Sequence, residues 1–231
     1  MTILAICKDV APVIGLTVPS VVYSGTAREL VELQSLANRI AKRIMRAHEW
    51  ELLKTVATYT GDASTTEFAL PSDYDRMPVD SDMWSSDLQG PMSHITSSAE
   101  WLDFTERTSS SVTDSWTKIG GEISIKPAMA TSDTAKHYYI SNLIVTPTGA
   151  PPNIAAFTAD DDVFRLNDEL LTLGMIWQWK ANKGRPYAED MTNYEMLQSK
   201  LIREDKGSNV LVVGRRRIPS GVSLAYPQTI S

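Results

Sequence analysis

The stretch TARELVELQSLANRIAKRIMRAHEWELL, residues 26–53, decides the fold, because it is the longest uninterrupted helical pattern in the chain. Apolar residues recur along it at alternating steps of three and four, which places them on one face of a helix. These residues are Leu30, Leu33, Ala37, Ile40, Ile44 and Ala47. Thr26 and Glu29 have the spacing of an N-terminal capping box. We therefore predict a helix roughly 40 Å long that acts as a scaffold.

A helix of that length needs neighbours along its apolar face. Its alanines permit close backbone approach, and the neighbour is either another helix of this chain or the same helix in a second subunit. The sequence leaves both possibilities open. Trp177 and Trp179, on a later helix, point to different sides, so either both pack in the core or one of them faces a neighbouring subunit. The candidates for packing between subunits are Ala37, Ile40, Ile44 and Trp179.

Composition narrows the class of protein. The chain has 231 residues, 42% of them hydrophobic, and a net charge of −6. An acidic balance argues against a nucleic-acid binder that works by releasing counter-ions. The single cysteine, Cys7, excludes a disulfide within the chain, and no apolar run reaches the length of a membrane span. We expect a globular protein that folds in a reducing cytoplasm, without a secretion signal or a membrane partner.

A β-rich section separates two helical sections. Ahead of residues 26–53, a short helix is predicted over residues 2–14, with Thr2 as its cap, Gly15 as its stop and Pro12 favouring a kink or an early end. After Leu53 the apolar period changes to two. The predicted strands are 54–60, 65–70, 80–86, 115–119, 122–126 and 136–145. A short helix begins at Ser97, and a tight hairpin turn is predicted at the two glycines Gly120 and Gly121.

The chain then returns to helices. Asn167 can cap a helix over residues 168–182 that is apolar on most sides and therefore buried. Gly184 ends this helix, and a second one over residues 187–205 completes an antiparallel helical hairpin. Its predicted inward residues are Tyr187, Met191, Tyr194, Leu197 and Leu201.

The element order predicts an α+β fold, in which a bundle of long helices is interrupted by a β-rich insertion. The helical body comprises residues 1–53 and 163–207, and the insertion comprises residues 54–162. The last residues, 208–231, have no helical period and are predicted to form an extended C-terminal arm.

Six segments in a fixed order carry a family resemblance. They are RAHEWELL at 46–53, LPSDYDRM at 70–77, GP at 90–91, YYISN at 138–142, FTADDD at 157–162 and LLTLGMIWQWKANKGRPYAED at 170–190. Together they resemble the head-to-tail adaptor, or connector, family of tailed bacteriophages. The resemblance implies a non-enzymatic structural protein of the virion neck, assembled in the host cytoplasm as a ring of about twelve copies under the portal.

The resemblance also implies the partners. They are the portal protein, a downstream tail or nozzle protein and further copies of the chain, while genomic DNA passes through the ring without specific binding. Family members commonly grip the portal with an extended C-terminal segment, and residues 208–231 correspond to it by position. Within this arm we expect three arginines to meet acidic or carbonyl groups and three other residues to supply apolar contacts. The six residues are Arg215, Arg216, Arg217, Ile218, Pro219 and Tyr226.

Two other interpretations of the arm stay open. Clustered guanidinium groups bind phosphates, so Arg215 to Arg217 also fit a DNA contact, although three cations in an acidic chain make a weak footprint. A solvated tail without a partner is the other alternative.

No metal or cofactor site is predicted. The acidic run Asp160 to Asp162 lacks the glycine and the bidentate glutamate of a calcium loop, so we interpret it as a solvated loop. The three histidines, which show no zinc-ligand spacing, are His48, His94 and His137. Cys7 lies on an apolar helix face and is interpreted as a buried hydrophobe.

The alternatives to an adaptor come from two classes. One is another neck component, such as a stopper or a tail terminator. The other is a tail-associated glycan hydrolase, for which Glu49 and Glu51 are the nearest pair of carboxylates. Residues two apart on a helix diverge, which is a poor arrangement for two groups that must flank one glycosidic bond. We therefore expect no enzymatic activity.

Overall fold

The computed structural model describes residues 1–79, 81–106, 114–149 and 152–205. Within these ranges the chain forms a mixed α+β fold, as predicted. Its helices are α1 (Ile3–Ile14), α2 (Arg28–Ala47), α3 (Ser98–Glu106), α4 (Asp168–Asn182) and α5 (Ala188–Asp205), with a 3-10 turn at Glu51–Leu53.

Local signals set both ends of α1, as predicted. The Thr2 hydroxyl accepts a hydrogen bond from the Ala5 backbone N–H at 3.3 Å, and Gly15 ends the helix in the left-handed conformation with φ of 80°. Pro12 does not end the helix early. It lies in the last turn, and α1 continues to Ile14.

The helix α2 is shorter than the sequence predicts, with 20 residues instead of 28, or about 30 Å. It begins after Ala27 without a side-chain cap, so the predicted capping box does not form. It ends because His48 adopts an extended backbone and the Trp50 indole N–H turns back to donate to the Ile44 carbonyl at 2.8 Å. The Arg76 guanidinium supplies a further donor at this end, to the carbonyl of His48 at 2.8 Å. Tertiary contacts therefore override the helical pattern after Ala47.

Buried α4 packs against α1, α2 and α5. The predicted Asn167 cap is confirmed, since its side chain accepts from the Leu170 N–H at 2.8 Å. Gly174 allows the close packing, because a Cβ atom there would lie 2.5 Å from Cγ2 of Ile40 on α2 and 3.2 Å from the Tyr194 ring on α5. Any larger residue would force these helices apart.

The predicted pairing of α4 with α5 is also confirmed, and Lys180 and Asp190 link the two helices at 2.6 Å. The inward face of α5 is less buried than predicted. Tyr194 is buried and Met191, Leu197 and Leu201 are half-buried, whereas Tyr187 is exposed because it precedes the first turn of α5.

The strands form three sheets. In order, they are β1 (Lys54–Thr60), β2 (Glu67–Ala69), β3 (Tyr74–Arg76), β4 (Trp84–Ser85), β5 (Gly90–Pro91), β6 (Ser93–His94), β7 (Ser115–Ile119), β8 (Glu122–Lys126), β9 (Thr134–Ser141), β10 (Val145–Thr146) and β11 (Val163–Phe164). One sheet has the order β1-β9-β4-β5, with β3 also paired to β9, a second has the order β2-β8-β7-β6, and β10 pairs with β11.

The predicted hairpin of β7 and β8 is confirmed, with positive φ at Gly120 and Gly121. The strands β1 and β2 flank the turn at residues 61–64 as predicted, but they belong to different sheets. The strand β1 instead pairs antiparallel with β9, from Lys54 opposite Ile140 to Thr60 opposite Thr134.

Two clusters of buried residues make up the core. The first joins α1, α2 and α4 with Trp50 and Leu53, and it also takes up Ile140, Ile144 and Phe157 from the predicted insertion. The second lies between the two larger sheets. The predicted domain boundaries, at residues 53/54 and 162/163, stay a prediction.

Candidate functional site

The four residues predicted to pack between subunits lie inside the single chain. Ala37, Ile40 and Ile44 are buried in the first core, and Trp179 is 4% exposed. Side chains with so little exposed area are accounted for by contacts within the chain, which was one of the two possibilities left open by the sequence. The role of these four residues in packing between copies stays a prediction.

The predicted arm contacts lie outside the described residues. They concern Arg215, Arg216, Arg217, Ile218, Pro219 and Tyr226. The described part of the chain ends at Asp205, in the last turn of α5. The carboxylate of Asp205, the last described residue, accepts a hydrogen bond from the Glu51 N–H at 3.0 Å and lies 3.2 Å from Nε2 of His48. The end of α5 therefore lies beside the C-terminal end of α2.

The solvent face of α2 is cationic. Arg39, Lys42, Arg43 and Arg46 are all exposed on it. Arg43 stacks over the Trp177 ring at 5.1 Å, and Arg46 pairs with an aspartate of β3 at 3.4 Å. Arg39 and Lys42 form no ion pair with any described residue. Two cations of α2 thus face solvent.

A cleft of about 350 Å³ lies beside these cations, between α2 and α4. Val31, which is 49% exposed, and the edge of Trp179 line it, together with Arg39. At its rim the Glu32 carboxylate accepts hydrogen bonds from Lys183 at 2.7 Å and from Arg28 on its own helix, and these bonds lower the pKa of Glu32. The cleft thus has apolar walls and a charged rim. We call Val31, Arg39 and Trp179 the cationic cleft, and Lys42 lies about one helical turn beyond Arg39 on α2.

The turn between β4 and β5 carries acidic and apolar side chains, in contrast to the cations of α2. Trp84 is 55% exposed and Leu88 is 41% exposed, and Asp87 lies between them in the chain. Burial raises the pKa of the nearby Asp114, and the negative charge of Asp87 raises it further. This edge of the sheet is therefore both apolar and acidic. We call Trp84, Asp87 and Leu88 the acidic tip.

The Asp160 to Asp162 loop is more ordered than the predicted solvated loop. Asp162 is buried, and its carboxylate accepts hydrogen bonds from the Thr158 N–H at 2.6 Å and the Ala159 N–H at 2.9 Å. Asp160 accepts from two backbone N–H groups of the segment before α2, those of Val22 and Tyr23, each at 2.8 Å. These aspartates tie loops together. No group of three or more potential metal ligands occurs among the residues that the structure describes.

The two carboxylates weighed as a hydrolytic pair have structural partners. Glu49 accepts a hydrogen bond from the Val79 N–H at 2.9 Å, and Glu51 pairs with Lys54 at 2.5 Å. In the described ranges, no helix combines the length and the apolar character needed to cross a bilayer.

His137 is a buried residue of the second core that the sequence did not single out as such. Its ring stacks on Tyr59 at 5.6 Å, and neither ring nitrogen has a hydrogen-bond partner among the described residues. Burial lowers the pKa of His137 to about 4, and the positive charge of Lys118 lowers it further. The imidazole is therefore neutral at pH 7.

This burial predicts a pH-dependent stability. A histidine in the unfolded chain has a pKa near 6.5, so below pH 6.5 the unfolded state binds a proton at His137. The folded state does not bind this proton until the pH falls to about 4. Stability should therefore fall with pH over this window. Between pH 7 and pH 5 the free energy of unfolding should drop by about 2 kcal/mol more in the wild type than in His137→Phe, as measured by urea denaturation. An equal drop in both proteins would contradict the prediction, and His94→Phe, which replaces an exposed ring, is the matched control.

Comparison with known proteins supplies the family. The family model described as SU10 adaptor protein matches residues 1–217, which include all six segments that carried the resemblance. A comparison with curated proteins finds no match. The match covers the helices, the three sheets and the start of the predicted arm. It confirms the resemblance, and the chain belongs to the SU10 adaptor protein family of bacteriophage structural proteins.

Proposed function

We propose that the protein is a head-to-tail adaptor of the virion neck. About twelve copies form a ring beneath the portal, dock the next tail component and keep a channel open for the genome. The observation that carries this proposal is the family match over residues 1–217. The partners are the portal protein, a downstream tail or nozzle protein and further copies of the chain, which meet in the host cytoplasm during assembly.

The fold suits a load-bearing part. In this proposal the helices around α4 form the bundle that serves as a rigid body, since α4 is enclosed by three other helices. Residues 208–231 extend as the arm that grips the portal, and the β-rich region faces the tail. The end of α5, which lies beside the C-terminal end of α2, supports a grip that extends from this side of the bundle.

The net charge of −6 suits a channel for DNA. A surface of the same sign as the phosphate backbone repels the duplex, so the genome passes without being held. The ring therefore guides DNA without binding a particular sequence.

Native mass measurement tests the proposal. Alone, the protein should be a monomer, because premature rings would be useless to assembly. Mixed with the portal of the same phage, it should add a number of copies that matches the portal symmetry, about twelve. A portal mass that does not change would contradict the proposal. A zymogram on the purified protein distinguishes an adaptor from a glycan hydrolase. An adaptor should leave the cell-wall substrate intact.

A further inference from the structure

Charge is distributed unevenly along the chain. Residues 54–162 carry six Lys or Arg and sixteen Asp or Glu, a net charge of −10. The rest of the chain carries sixteen Lys or Arg and twelve Asp or Glu, a net charge of +4. Three of these cations are the arm residues Arg215, Arg216 and Arg217, so the helical body, residues 1–53 and 163–207, is close to neutral with thirteen Lys or Arg and twelve Asp or Glu. The molecule thus has an acidic β-rich part, and the exposed cations of the body that can meet it are concentrated on the solvent face of α2. Such surfaces attract each other between copies, which gives orientation as well as affinity.

The cationic cleft is a candidate receptor surface beside the cationic solvent face of α2. Its cation Arg39 has no ion-pair partner among the described residues, nor has the neighbouring Lys42 of α2, and Val31 leaves about half of its surface exposed. A side chain that enters here would contact an apolar wall and a cation together. A partner with both apolar and acidic groups would satisfy these features.

The acidic tip has the matching chemistry. It lies at the turn between β4 and β5, at the edge of the larger sheet, where β5 has only one neighbouring strand among the described residues. It combines two large exposed apolar side chains, Trp84 and Leu88, with the exposed carboxylate of Asp87. Exposed aromatic residues of this kind are typical anchors of protein interfaces.

We propose that the acidic tip of one copy seats in the cationic cleft of the next. In this contact Asp87 faces Arg39, the cation that lines the cleft, while Trp84 and Leu88 cover the apolar wall. The inference rests on the proposed ring and assigns the surfaces that hold it together. Because tip and cleft are different surfaces of one molecule, each copy uses both, and the contact repeats head to tail until the ring closes.

The weakness of exposed ion pairs explains why the ring would need the portal as a template for assembly. The charges lie at exposed rims, where an ion pair contributes about 0–1 kcal/mol and is screened by salt. A small contact of this kind holds copies weakly in free solution. Copies that are already anchored side by side on a portal meet at high effective concentration, and the contact then forms.

Crosslinking within assembled particles tests the contact. Phage particles are prepared with a chain that carries Ser35→Cys, at the lining of the cleft, and Leu88→Cys, at the tip, so that all the charges are kept. The natural Cys7 should not react, because it is buried and burial raises the pKa of its thiol to about 12. A bis-maleimide reagent should then give a ladder of multimers of this chain on a denaturing gel.

The matched control pairs Leu88→Cys with Glu195→Cys, which lies on the exposed outer face of α5, and it should stay monomeric. If particles contain the Ser35→Cys, Leu88→Cys chain but give no ladder of multimers, the proposed contact is wrong. That result would not contradict the proposed function. Particles that lack even the wild-type chain would overturn the proposed function and the contact with it.

Charge reversal supplies a readout that needs no cysteine. Asp87→Lys should lower the number of copies per particle several-fold, and combining it with Arg39→Glu should restore them. Both side chains are exposed, so the fold should tolerate either change. Wild-type copy numbers in both single variants would overturn the contact, as would a double variant that is as depleted as Asp87→Lys. If nucleic acid held the copies together, Asp87→Lys, which adds a cation, would not deplete them whereas Arg39→Glu would, and that pattern would overturn the contact.

Discussion

Trp177→Ala should destabilise the protein by about 3–5 kcal/mol. The indole is 6% exposed, and its ring lies 6.1 Å from that of Tyr194 on α5 and beneath the Arg43 guanidinium of α2. Truncation would leave a cavity where three helices meet and would remove the cation–π contact at the same time. Urea denaturation followed by far-ultraviolet circular dichroism gives the free energy of unfolding without relying on tryptophan fluorescence.

The chain offers a matched control in Trp84→Ala. That indole is 55% exposed, and its removal should change the free energy of unfolding by only about 0.5 kcal/mol. Equal costs for the two substitutions would show that Trp177 is not part of the core. An unchanged denaturation midpoint for Trp177→Ala would show the same.

Deletion of residues 208–231 should abolish attachment to the portal and leave the fold intact. The buried side chains of both described clusters come from residues 3–194 and pack on one another, so we expect them to stay packed in the shortened chain. In the proposed function these residues provide the grip on the portal. Circular dichroism and a thermal melt check the fold, and a pull-down with the purified portal checks attachment.

A milder variant tests which part of the arm matters. Replacing Arg215, Arg216 and Arg217 by alanine keeps the length of the arm and should weaken attachment without abolishing it, since the apolar residues Ile218, Pro219 and Tyr226 remain. Full attachment after deletion of residues 208–231 would contradict the role of the arm. Attachment that is lost together with the circular dichroism signal would show that the arm belongs to the fold instead.

Features set by neighbouring residues were predictable from the sequence. The Thr2 and Asn167 caps, the stop at Gly15 and the hairpin at Gly120 and Gly121 all depend on a few adjacent residues. Each places a capping oxygen or a positive φ where the local backbone needs it. Burial of α4 followed in the same way, because a helix that is apolar on most sides has to be enclosed.

Features set by distant residues were not predictable. The end of α2 depends on the Trp50 indole and on Arg76, which the chain brings back from β3. The strand β1 pairs with β9, which lies about eighty residues later in the chain. An apolar period of two indicates a strand, but it does not indicate which strands will pair. The buried state of His137 likewise depends on both larger sheets.

The candidate contact surfaces between copies could be predicted only in part from the sequence. Apolar periodicity marked Ile40 and Ile44, but it cannot tell a face buried within the chain from one buried between copies. The charge contrast between residues 54–162 and the rest was visible in the sequence, yet its meaning depends on the exposure of Arg39 and Asp87. That exposure follows from the packing of α2 and from the turn of an edge hairpin.

An image reconstruction of the neck in purified virions tests the central claim most directly. The account predicts that density matching the helices and sheets described above repeats as a closed ring between the portal and the tail. The segment after α5 should run toward the portal, and the ring should surround an open channel. Particles in which this density is absent, or in which the chain lies in the capsid wall or at the tail tip, would contradict the account.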